Sequence, residues 1–172
     1  MAVNPAEDIV NVWLQDNLGY FTRQNVVVPK GERFVNERAI HGGKGKEIDI
    51  LGINTSGDKV WVEVTVSPNP YLALKSERVE EALKKVTDKF CEEKEVKVRE
   101  IFGGKKFRKI FVYSSRILLG EEPLFLEKVK ELGIEAMNFE SIFAETIENL
   151  RHYSVEPTRI HLYYTKKFLL KK

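Results

Sequence analysis

At 172 residues, with 42% hydrophobic and 31% charged residues, the chain is long enough for one domain with a substantial core. Its net charge of +2 neither demands nor excludes a nucleic-acid partner, because such footprints depend on local clustering. A single cysteine, Cys91, excludes an internal disulfide, no run of about 18 apolar residues predicts a membrane-spanning helix, and no signal-peptide pattern opens the sequence; a cytoplasmic protein with no membrane partner is expected.

In chain order, Asn4 and Pro5 read as the cap and first turn of a helix. Ile9, Val10, Val12, Trp13 and Leu14 give it an apolar stripe, and Gly19 ends it. Residues 20–28 read as a strand stopped by Pro29. Residues 29–46 read as a loop whose glycines and lysines lack the spacing of a phosphate-binding loop. Residues 47–53 and 59–66 read as two strands of a hairpin, joined by the turn-rich stretch 54–58. Residues 67–70, with two prolines, break it. A helical stripe of Leu74, Val79, Ala82, Leu83, Val86 and Phe90 follows, on a helix from about 71 that ends near Cys91 or runs on to Phe102. Gly103 and Gly104 stop it. Residues 109–114 read as a buried strand, 121–132 as a helix ending at Gly133, 134–139 as a short strand, 141–150 as a helix and 158–164 as a strand before a basic tail. The order predicts a mixed α/β sandwich around one sheet, as a single domain over 1–172, with a core at about 5–114 and an extension at about 115–172.

The hairpin carries the chemistry. In its second strand Val60, Val62, Val64 and Val66 share one face, and Trp61, Glu63 and Thr65 share the other. Asp49 sits among Ile48, Ile50, Leu51 and Ile53, although Asp is disfavoured in strands. Burying an unpaired carboxylate is costly, so Asp49 and Glu63 need partners, and a divalent cation is a good one. Two carboxylates on adjacent strands suit Mg²⁺, which takes oxygen ligands and keeps several waters. Beside a phosphodiester such an ion polarises the phosphate and activates a water. The plainer reading of Asp49 and Glu63 is a polar strand face.

Residues 47–51 followed by Val62-Glu63-Val64-Thr65 resemble the core of the PD-(D/E)XK nuclease superfamily, the restriction-endonuclease-like fold, over roughly residues 7–114. The resemblance is nearest the Holliday-junction-resolvase-like branch. It implies a three-layer sandwich with a mixed central sheet flanked by helices. It also implies a metal-dependent DNA endonuclease, with Mg²⁺ or Mn²⁺ held by Asp49, Glu63 and the Val64 carbonyl. Glu7 matches the acidic residue that the family often places on its first helix, with Asp8 as the competing choice and favourable charge at a helix N-terminus as the plainer account. The family's motif lysine is replaced by Thr65, whose hydroxyl can hydrogen-bond a water but carries no charge. Either a lysine arrives from elsewhere, with Lys46, Lys59 and Lys75 as candidates and Lys75 the first choice, or the domain binds nucleic acid without cutting it. The resemblance further implies DNA as partner, with RNA not excluded, and a homodimer.

The remaining candidates have ordinary readings. Glu47 shares a strand face with Asp49 and reads either as an extra ligand or, more simply, as a solvated strand start. The cluster Lys105, Lys106, Arg108 and Lys109 and the tail of Lys166, Lys167, Lys171 and Lys172 fit solvated loops and ends or phosphate contacts. Tyr153, Tyr163, Tyr164 and Phe168 fit a core, a dimer interface or base stacking. Cys91 reads as core. His41, His152 and His161 lack metal-ligand spacing, and no Gly-x-Ser-x-Gly occurs.

Overall fold

Helix α1 (Pro5–Asp16) starts as its sequence requires: the Asn4 side chain accepts the Ala6 N–H at 3.2 Å, and Pro5 occupies the first turn, where no amide donor is needed. The computed structural model describes residues 4–29, 33–35, 38–40, 45–66, 78–114, 121–150, 157–164 and 166. Gly19, at φ +68°, turns the chain into β1 (Tyr20–Val28). Where the sequence reads as loop, β2 (Arg33–Val35) and β3 (Arg38–Ile40) pair as a small antiparallel hairpin; runs of three residues are too short to carry a periodic signal. The predicted hairpin is β4 (Lys46–Asn54) and β5 (Lys59–Thr65). The Asn54 side chain closes its turn by accepting the Asp58 N–H at 2.9 Å and the Ser56 hydroxyl at 2.7 Å.

Of the two ends expected for the helix after the hairpin, the structure takes the one near Cys91: α2 (Arg78–Lys89) stops there, and a separate α3 (Glu92–Ile101) follows. They part at Phe90 and Cys91, where Phe90 turns its ring onto Trp61 at 4.7 Å and Cys91 takes extended backbone. Cys91 is therefore half-buried at a helix junction rather than core. Gly103 and Gly104, at φ +61° and +71°, end α3. Then come β6 (Arg108–Tyr113), α4 (Glu122–Glu131), β7 (Glu135–Asn138) and α5 (Phe139–Asn149). Residues 158–164, expected as a strand, lie in helix α6 (Pro157–Tyr164). Leu162 packs on Val12, Ile147 and Leu150, and Arg159 pairs with Asp16 at 2.7 Å, so tertiary contacts with α1 override a β-prone sequence.

The sheet has five strands in the order β1-β4-β5-β6-β7; β1, β4 and β5 are antiparallel, and β6 and β7 run parallel to β5. Trp61, Phe111 and Leu51 face α2, α3 and α4 through Val86, Phe90, Val98 and Phe125. Val60, Val62, Val64, Ile110 and Val112 face α1 and α5. The protein is thus an α/β three-layer sandwich around a mixed sheet. No helix among the described residues is long and apolar enough to cross a membrane.

At one place the strand alternation breaks. Gln24 of β1 and Ile50 of β4 lie on the α1 side, yet Val26 and Ile48, two residues along each strand, pack in the opposite layer. Residues two apart on a regular strand share a face. Between them Asn25 sits at φ +55°, a left-handed conformation that Asn tolerates better than most residues, and its register partner Asp49 drops out of the ladder. The β4–β5 register also ends here, at Ile50↔Val62.

Candidate functional site

The strand break builds the site. Past Val62, β5 has lost its β4 neighbour, so the Val64 N–H needs another acceptor. It donates to Asp49 Oδ2 at 2.7 Å, a side chain replacing a ladder bond. The same oxygen accepts from Lys89 Nζ of α2 at 2.7 Å. Glu63 is fully buried. Its Oε1 accepts two donors, Trp61 Nε1 at 2.7 Å and Lys94 Nζ of α3 at 2.8 Å. Its Oε2 has no partner in hydrogen-bond geometry and lies 3.3 Å from Lys89 Nζ. Lys89 thus bridges both carboxylates.

The charges are tightly coupled. Burial, reinforced by the Asp49 charge, pushes the Glu63 carboxyl up to about 7 against the pull of Lys94 and Lys89. Burial opposes charge on Lys89, but Asp49 and Glu63 outweigh it and raise its pKa. Glu7, half-buried in the first turn of α1, is also raised, by burial and by Asp49, while the Asn4 amide that donates to it and Lys89 pull the other way. Lys89 of α2 thus contacts Asp49, while Glu7 of α1, from the opposite layer, lies close enough to feel the Asp49 charge.

Beside this cluster is an open groove of about 320 Å³ lined by Thr65, Lys85, Asp88 and Lys89. Thr65, half-buried at the end of β5, lines the groove with Lys89, so the motif position and Lys89 share one recess. Asp8 is engaged by Gln24 Nε2 at 3.1 Å. Glu47 is exposed. Lys46 is exposed and pairs with Glu93 at 2.8 Å, beside Cys91 Sγ at 3.3 Å. Lys59, at the far end of β5, donates to the Gly57 carbonyl at 2.7 Å. Neither reaches the carboxylates, and Lys75 lies outside the described residues.

The other basic and aromatic candidates are dispersed. Lys109 pairs with Glu95 at 2.6 Å, Arg108 with Glu135 at 3.7 Å, and Lys166 donates to the Glu148 and Leu150 carbonyls. Lys105, Lys106 and His161 are exposed, and Tyr163 packs beside Val12 and Ile147. His41, His152, Tyr153, Phe168, Lys167, Lys171 and Lys172 lie outside the described residues, as does the Tyr164 side chain.

Among the described residues, no three carboxylate, imidazole or thiolate groups are placed to hold a metal ion. Asp49 and Glu63 are a pair. The pair nevertheless fits a hard cation that keeps most of its waters: both are carboxylates, Glu63 Oε2 has only the Lys89 ammonium at 3.3 Å, and burial together with the Asp49 charge raises Glu63. Comparison of the chain with protein-family models, curated proteins and solved structures found no match.

Lys89 and Lys94 are the residues that sequence reasoning missed. A signal for both was present. Lys89 continues the Val79, Ala82 and Val86 stripe three residues past Val86, and Lys94 precedes buried Val98 by four. Such a lysine can run its stem along the apolar face to water or meet a buried acid; here Lys89 meets Asp49 and Glu63, and Lys94 meets Glu63.

Proposed function

We propose that this protein is a metal-dependent DNA endonuclease of the PD-(D/E)XK type, nearest the resolvase-like branch, in which Lys89 takes over from the motif lysine that Thr65 replaces. The observation that carries this reading is the Lys89 ammonium, 2.7 Å from Asp49 and 3.3 Å from Glu63, in the recess that Thr65 also lines. Asp49 and Glu63, with the Val64 carbonyl, would hold Mg²⁺ or Mn²⁺. Such an ion, when bound, polarises the phosphodiester and lowers the pKa of a water. Lys89 would turn from the carboxylates to the groove and offer its charge to the phosphate. Lys85, one helical turn before Lys89, would contact the same backbone. Glu7, raised toward neutrality, would orient or accept a proton from the attacking water. Phosphate contacts of this kind give salt-dependent binding with little sequence readout, suited to branched or structured DNA and to a cytoplasmic homodimer.

A second reading is a silent DNA-binding member of the same fold. It is favoured by the balance already present, two lysines against two carboxylates. Cleavage of labelled duplex, single-stranded, flap and four-way-junction DNA with Mn²⁺ separates the two. The nuclease predicts cleavage abolished by Asp49→Ala and Glu63→Ala and slowed about 10²–10⁴-fold by Lys89→Met. Adding Thr65→Lys to Lys89→Met should restore part of the rate, since both side chains reach one recess. DNA binding without cleavage by the wild type sinks the nuclease in favour of the silent module, and absence of both sinks the two together.

A further inference from the structure

The two lysines on Glu63 are not equivalent. Lys89 has 31% of its side chain exposed and lines the groove; Lys94 has 5% exposed and is absent from the groove lining. Lys94 is therefore closed off from the groove that Lys89 lines. A buried ammonium survives only beside an acid that compensates its lost hydration. Lys94 finds this in Glu63 Oε1, which also takes the Trp61 indole N–H.

We infer that Lys94 is a positioning residue: with Trp61 it anchors Glu63 by Oε1, and so holds Oε2 toward Lys89. The inference rests on the nuclease reading only for its functional consequence. Glu63 keeps a fixed counter-ion in Lys94, so Lys89 can leave the carboxylates without stranding a buried charge. A site served by one lysine would have to choose between holding its glutamate and using its lysine. Here the tasks fall to two helices, anchoring to α3 and the exchangeable contact to α2.

The test reads the anchor itself. The Trp61 indole N–H gives a proton–nitrogen resonance that Trp13→Phe would distinguish from that of Trp13, the other tryptophan. In Lys94→Met, Glu63 loses its fixed partner, swings toward Lys89 and releases the indole, so that resonance should move upfield and exchange faster. Mn²⁺ affinity, measured by the paramagnetic signal of free Mn²⁺, should fall about tenfold. Lys94→Arg should recover part of both. Lys94→Gln, which keeps a donor without a charge, gives the same readouts if the methionine variant does not fold. Lys89→Met should leave the indole resonance in place. An unmoved indole in both Lys94→Met and Lys94→Gln overturns the inference, because a lysine that merely fills space would leave the Trp61–Glu63 bond intact. A moved indole in the Lys94 variants, together with a wild type that binds no Mn²⁺, upholds the anchor and removes the nuclease reading instead.

Discussion

Glu63 is the residue on which the rest of the site turns, and its burial makes a prediction about pH. Its carboxyl rises from 4.5 to about 7 on folding. The folded state thus holds the proton more tightly than the unfolded chain. The associated stabilisation is complete below about pH 4.5 and is lost as pH rises through about 7, by about 3 kcal/mol. Urea denaturation of the wild type against Glu63→Gln should show this as a difference that shrinks in the wild type's disfavour between pH 5 and 8, in steps set by about 1.4 kcal/mol per unit of pKa. A constant difference across that window would mean that Glu63 is ionised at its ordinary pKa. Asp49 and Glu63 were legible in the sequence because each interrupts an apolar strand. Lys89 and Lys94 were not, because lysine is common on exposed helix faces and only the burial of neighbouring stripe positions marks these two as inward.

At the scale of the elements, the left-handed Asn25 is what lets β1 and β4 change faces and take Asp49 out of the ladder. A β-branched residue there should cost about 1–2 kcal/mol, whereas glycine should stay within about 0.5 kcal/mol of wild type. Denaturation midpoints of Asn25→Val and Asn25→Gly check this, and equal midpoints would show that the backbone relaxes out of the left-handed region. The hairpin of β4 and β5 was readable from alternation and turn residues, since both are local signals. The strand break was not, because Asn25 and Asp49 are separated by 24 positions in the sequence and meet only through register. Residues 158–164 read as a strand because Ile160, Leu162 and Tyr164 recur at every second position. Pro157 at the first helical turn was the opposing signal. The end of α2 near Cys91 was one of two readable options, because the stripe stops at Phe90 while Val96 and Val98 leave the continuation open; the docking of Phe90 on Trp61 decides between them.

At the scale of the molecule, the sheet joins an antiparallel half, β1-β4-β5, to a parallel half, β5-β6-β7, and β5 belongs to both. The layered α/β class followed from the alternation of strands and helices along the chain. Which helix covers which face did not, and the site depends on that: Glu7 comes from the α1 layer, Lys89 and Lys94 from the other. The bond between Asp49 and the Val64 N–H has a consequence for hydrogen–deuterium exchange. Amides in central strands ordinarily exchange only when the whole domain opens. Val64 lies in such a strand, but its amide is held by a side chain rather than by β4. In Asp49→Ala the Val64 amide should therefore exchange orders of magnitude faster while the amides of Val60 and Val62 keep pace with global unfolding; equal slowing of all three would mean that another acceptor takes the carboxylate's place. A backbone proton in the middle of the sheet then serves as a reporter for one carboxylate, readable without substrate or metal.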